Sequence, residues 1–141
     1  MQRLLALRKV PLFTELSLER LESIHQLMHE SNYLAGECVV REGDIGDDLF
    51  ILLEGELEIY KNHGTPDERL LNTLTPVAYM GEMAILDDSE RSATAIASKD
   101  SRLLSLGGDT FKEIVLQTPE ISFEIFKVLT ARIRAAEMRR E

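Results

Sequence analysis

The chain has one cysteine, Cys38, no tryptophan, three histidines and four prolines among 141 residues. A lone cysteine excludes an intramolecular disulfide framework and suits a reducing compartment, so the chain reads as cytoplasmic. No apolar run approaches the roughly 20 residues that a membrane helix needs. The early leucines of residues 1–7 meet Arg8, Lys9 and Pro11 too soon for a secretory signal. Positive charge is scarce as well: 16 Lys and Arg stand against 25 Asp and Glu, a net charge of −9. A basic footprint is what nucleic acids and anionic membranes require, so this chain alone is expected to bind neither. His25 and His29 stand four apart without a third ligand, and His63 falls in a turn. That argues against a metal centre and against a cupin-like metalloenzyme. No nucleophile–base constellation is visible, and the chain reads as a binding protein rather than an enzyme.

What is present describes a globular chain. Hydrophobic residues make up 44% and charged residues 29%, which excludes disorder, and 141 residues suit a single domain. Residues 1–31 read as helical. Ser17 is placed to cap a helix with Glu19 in its first turn. Leu18, Leu21, Ile24, Leu27 and Met28 recur at helical spacing as one buried face.

From Tyr33 the period changes. Gly36, Gly43, Gly46, Gly55 and Gly64 separate short apolar runs at 38–40, 49–53, 57–60 and 70–74. Short strands between glycine turns indicate an antiparallel barrel or jelly roll. The cluster at 62–67 reads as a hairpin tip. Two further strands are expected, a small-residue one over 92–97 and another over 102–106. Helix then returns. Thr110 and Glu113 read as a capping box for a helix through Gln117. Thr118-Pro119 starts a second helix with Ile121, Ile125, Val128, Leu129, Ile133 and Ala136 at helical spacing.

The segment between the two sets of strands carries the chemistry. Gly81-Glu82-Met83-Ala84 is followed by Arg91-Ser92-Ala93, with Glu82 and Arg91 nine residues apart. An arginine fork beside small residues suits a small anion, since the fork is planar, permanently charged and able to bond two oxygens. In a protein of net negative charge such a site must be built locally, from the arginine and backbone N–H groups. Taken singly, Glu82 reads first as a first-turn helix acid, and Arg91 first as a surface partner of Asp87, Asp88 or Glu90.

Together these residues resemble the cyclic-nucleotide-binding domain family, which includes the sensor domains of catabolite activator proteins and the regulatory subunits of cyclic-nucleotide-dependent kinases. Gly36-Glu37, Glu42-Gly43-Asp44, Asp48-Leu49-Phe50-Ile51 and Glu54-Gly55 resemble its glycine-punctuated strands. The pair of motifs at 81–84 and 91–93 resembles its phosphate-binding cassette. The resemblance implies an α+β, mainly β fold: an antiparallel jelly-roll barrel over 32–107, cassette at 80–93, helices over 1–31 and two more over 108–141.

It also implies a ligand, cAMP or cGMP. Arg91 would pair with the phosphate and Glu82 would accept the ribose 2′-hydroxyl. Gly81, Met83, Ala84, Ser92 and Ala93 would complete the site. The serine at 92 is the bacterial-like choice and favours cAMP over cGMP. The sequence departs from the family at Pro76-Val77, where a glycine is usual, so the loop entering the cassette must take another path. The expected output is non-catalytic signalling, by repacking of the helices after Gly107-Gly108. The last helix would also offer a face to a second copy or an effector domain. The rival reading is a barrel that serves as a protein-interaction module and no longer binds nucleotide.

Overall fold

Two four-stranded sheets form the body of the computed structural model, which describes residues 2–87 and 89–140 apart from the side chains of Gln2, Met83, Asp87, Arg139 and Arg140. The strands are β1 (His29–Tyr33), β2 (Cys38–Val40), β3 (Asp48–Glu54), β4 (Leu57–Lys61), β5 (Arg69–Leu74), β6 (Tyr79–Met80), β7 (Thr94–Ala97) and β8 (Ser101–Gly107). They pair in the orders β1-β8-β3-β6 and β2-β7-β4-β5, and every pairing is antiparallel. Two antiparallel sheets of four strands face to face are the jelly-roll arrangement that the glycine-spaced runs predict.

Strand β3 explains the order of the layers. Its apolar run does not alternate with polar residues because both of its faces are covered. Leu49, Ile51 and Leu53 join a core with Leu104 and Leu106 of β8 and with the helices. Phe50 and Leu52, on the opposite face, join Leu57, Ala97 and Leu103 between the sheets. The first sheet is therefore sandwiched, with helices on one side and the second sheet on the other.

The helical layer comes from both chain ends. Helix α1 (Gln2–Arg8), a 3-10 turn (Pro11–Phe13) and α2 (Leu18–His25) contribute Leu7, Phe13, Leu21 and Ile24. After α3 (Glu82–Asp87), α4 (Gly108–Gln117) and α5 (Pro119–Arg140) contribute Phe111, Ile121 and Ile125 to the same core. Helix α5 packs against the 3-10 turn and α4, so the two ends of the chain lie together.

Several expectations change in detail. Helix does not extend through 31: it stops at His25, and His29 opens β1, so the two histidines do not share a helix. The stripe they flank is narrower than its spacing implies, because Leu18 and Leu27 are exposed while Leu21 and Ile24 are buried. Strand β1 escapes notice because His29-Glu30-Ser31-Asn32 is polar and largely exposed. The Ser17 cap holds, with its Oγ accepting the Arg20 N–H at 3.2 Å. The Thr110–Glu113 box does not form, because α4 begins two residues earlier, at Gly108 behind the N-cap Gly107. Thr118 ends α4 and Pro119 opens α5. The hairpin tip lies between β4 and β5, and Asn62 and Gly64 take the positive φ values, 56° and 81°, that turn the chain there.

Candidate functional site

Arg91 is the centre of the site and is only 6% exposed. It sits just before β7, on a segment tied to the loop after β2. The Gly43 N–H donates to Arg91 O at 2.8 Å, and the Arg91 N–H donates to Asp44 O at 2.8 Å. Its guanidinium then runs inward. Nη2 donates to Asp48 O at 2.9 Å and Nη1 to Gly81 O at 3.5 Å. Cζ lies 5.9 Å from the centre of the Phe50 ring, within cation–π range.

Two glycines make room for that guanidinium. A Cβ on Gly46 would stand 2.7 Å from Arg91 Nε, and one on Gly81 would stand 2.6 Å from Nη1. Gly81 also has φ +100°, a backbone region that favours glycine on its own account. Burial lowers the Arg91 pKa, while the nearby charges of Asp48, Asp47 and Glu82 push it back up. Nε is buried with no hydrogen-bond partner among the described residues. A buried donor left unmet is uncommon in folded proteins and commonly marks a place where a ligand or water completes the bonding.

Glu82 is the first residue of α3 and is 8% exposed. Its Oε1 accepts from Arg132 Nη2 of α5 at 3.2 Å. The carboxylate is thus held by the last helix, a contact that residue spacing gives no means of foreseeing. Tyr79, just upstream, is half-buried, and burial followed by the Glu82 charge raises its pKa.

Both charged side chains open onto one cavity of about 530 Å3. Gly81, Ala84, Ser92, Ala93 and Arg132 also line it, and its apolar wall comes from Val40, Ile59, Leu71, Leu74 and Met80. Of the seven site residues expected from sequence, six therefore meet at one cavity; the Met83 side chain lies outside the described residues. Of the surface partners considered for Arg91, Asp88 and the Asp87 side chain lie outside them too. Arg91 forms no ion pair among the described residues. The Pro76-Val77 loop is anchored rather than free: Val77 packs on the helix-side core, and Ala78 O accepts the Leu52 N–H at 2.9 Å.

Asp48 and the Gly46 loop were not legible as site residues, and Arg132 was not separable from Arg134, Ala135 and Glu137 near the end of the last helix. Arg132 is one of several arginines at the end of a helix, and Asp48 contributes its carbonyl, which any residue possesses. No group of three or more His, Cys, Asp or Glu is placed to hold a metal among the described residues. No helix there is long and apolar enough to cross a membrane.

Comparison with known proteins gives a consistent result. The Cyclic AMP receptor protein of Thermus thermophilus is 30% identical over 128 residues, covering 91% of this chain and 59% of that protein. Isozyme 1 of the cGMP-dependent protein kinase of Drosophila melanogaster is 34% identical over 112 residues, covering 77% of this chain and 15% of the kinase. Among solved structures, the regulatory domain of Toxoplasma gondii PKA, crystallised with cAMP, superposes with a TM-score of 0.74 at 34% identity, covering 80% of this chain and 43% of that one. The chain spans less than two thirds of the length of each. A family model, the cyclic nucleotide-binding domain, matches residues 30–118, more than half of the chain, and the chain belongs to the cyclic nucleotide-binding domain family.

Proposed function

We propose that residues 1–141 form one non-catalytic regulatory domain that binds a 3′,5′-cyclic nucleotide and signals through its C-terminal helices, in the cytoplasm. The observation that carries this reading is the pair Arg91 and Glu82, both buried, both charged and both on the wall of one 530 Å3 cavity. That volume lies in the usual range of about 300–1,000 Å3 for small-molecule sites.

The chemistry of the wall fits the ligand part by part. The Arg91 guanidinium, with its unmet buried Nε, takes the phosphate together with the Ser92 hydroxyl and the Ala93 N–H. Gly81, lacking a Cβ, lets the ribose approach the chain, and Glu82 accepts its 2′-hydroxyl. Ala84 and Met83 complete the cassette. The apolar side chains of Val40, Ile59, Leu71 and Leu74 receive the base. The name of the Thermus relative and the cAMP in the Toxoplasma structure support cAMP over cGMP, as does Ser92, whereas the Drosophila relative is named for cGMP. Because Arg132 holds Glu82 from α5, the 2′-hydroxyl and the last helix address the same carboxylate. Ligand that binds this arrangement differently from a second placement of α5 shifts the balance between the two. The exposed side of α5 is the surface offered to a second copy or an effector domain.

One observation favours the rival, an interaction module without nucleotide. Arg91 and Glu82 already have protein partners, in Asp48 O, Gly81 O and Arg132, and so have a structural use. Thermal melting with cAMP, cGMP and AMP separates the two. A ligand present at about 100 times its dissociation constant adds about 2.7 kcal/mol of stability, a shift of several degrees for a domain of this size. Arg91→Ala abolishes most of that shift. Glu82→Ala weakens cAMP while sparing 2′-deoxy-cAMP, which lacks the hydroxyl. No shift with either cyclic nucleotide selects the interaction module.

A further inference from the structure

The segment that carries Arg91 has an outer side as well as an inner one. On the inner side Ser92 and Ala93 face the 530 Å3 cavity; on the outer side Ser92 and Thr94 border an open polar cleft of about 650 Å3. Lys61, at the end of β4, spans that cleft. Its Nζ donates to Ser92 O at 3.0 Å and pairs with Glu42 Oε2, also at 3.0 Å. Glu42 is held in turn: Oε1 accepts the Asn62 N–H at 2.9 Å, and its own N–H donates to Thr94 Oγ1 at 2.9 Å. With the two Arg91 main-chain bonds to Gly43 and Asp44, the stretch from Arg91 to Thr94 is clamped from outside the barrel at each residue except Ala93. The Asn62 N–H first, and Lys61 after it, lower the Glu42 pKa, so the carboxylate stays ionised below the ordinary carboxylate range.

We infer that Lys61 and Glu42 are positioning residues for the anion site: from the outer cleft they fix the main chain of Ser92, and so aim the Arg91 side chain and the Ala93 N–H at the inner cavity. Neither touches that cavity. A hydrogen bond to a carbonyl of the binding segment restricts its rotation, and supporting partners of this kind set how well a site is preorganised. The inference rests on the cyclic-nucleotide reading for its affinity test, and on the main-chain clamp alone for its second test.

Charge separates positioning from a simple field effect. Removing the Glu42 carboxylate near an anion site would, by its field, tighten anion binding. Loss of the clamp weakens it instead. Calorimetric titration with cAMP and 2′-deoxy-cAMP is expected to show Glu42→Ala and Lys61→Met each weakening both ligands by about tenfold, the scale on which supporting partners act. Lys61→Arg, which keeps a charged donor, retains most of the affinity, and Lys61→Met adds no further loss on top of Arg91→Ala. Tighter binding by Glu42→Ala would overturn the inference, as would loss confined to the ribonucleotide. The second test needs no ligand. Amide hydrogen exchange at Gly43 and Arg91, whose N–H groups bond across the clamp, rises in Lys61→Met while Leu103 and Leu104 of β8 stay protected. If wild type binds no cyclic nucleotide, the parent reading fails and this exchange result still decides: an unchanged rate at Gly43 and Arg91 overturns the clamp.

Discussion

At the scale of the residue, the site depends on side chains that are missing as much as on those present. The Arg91 guanidinium lies between Gly46 and Gly81, and a methyl group on either would reach it at 2.7 Å or 2.6 Å. The two positions differ. At Gly81 the added Cβ also meets Asp48 O at 2.5 Å in a left-handed backbone, so a substitution there strains the fold and the site together. At Gly46 the three nearest atoms all belong to the guanidinium. Gly46→Ala is therefore expected to lower the melting temperature of the free protein less than a substitution at Gly81 does. It should nevertheless weaken cyclic-nucleotide binding, because the fork must shift from the position that Asp48 O and Gly81 O define. Calorimetry on the free and titrated variant checks this; an unchanged affinity would mean the fork has slack. The legibility of the site in the sequence follows the same division. Arg91 and Glu82 are legible as a pair, nine residues apart beside small residues, in a pattern that resembles a known cassette. Gly46 and Asp48 are not, since one acts by an absent atom and the other through its main chain.

At the scale of the element, the strands with strong apolar character were legible and the polar ones were not. Runs such as 49–53 are written in leucine, isoleucine and phenylalanine because β3 is covered on both faces. Strand β1 is written in His, Glu, Ser and Asn, and β6 is two residues long, so neither carries a periodic signal. Helix α5 was legible as a helix expected to lie over the ligand, but its particular bond to α3 was not, because the Arg132–Glu82 contact joins residues 50 apart. That contact is the only ion pair between α5 and the cassette among the described residues. Arg132 is half-exposed, which limits the pair to about 1 kcal/mol or less. A link of that strength suits a helix that must change its placement with ligand. Arg132→Ala is expected to leave cAMP binding measurable and to uncouple α5 from it. In wild type, hydrogen exchange over residues 126–137 should change on adding cAMP; in the variant it should not. An identical response in both proteins would remove Arg132 from the signal.

At the scale of the whole molecule, the question is what the far half of α5 is for. Its first turns are spent on the barrel: Ile121 and Ile125 are buried in the helix-side core, as their spacing predicts. The outward face is a different set. Phe123 is 61% exposed, Phe126 62% and Ile133 60%, and with Thr130 they fall at alternating spacings of three and four along one stripe. That is the spacing by which one helix lays an apolar face against another, burying what it cannot bury on its own domain. Salt does little to oppose such an association, although a net charge of −9 on each copy does at low ionic strength. The prediction is a dimer through α5, at twice the 16.0 kDa of one chain, in sedimentation at moderate salt. Phe123→Glu with Phe126→Glu should give a monomer that retains cyclic-nucleotide binding, since neither residue lines the cavity. A wild type that sediments as a monomer with and without cAMP removes the second copy as the occupant of this face. It leaves the stripe to an effector domain, for which the same double substitution becomes the test of docking.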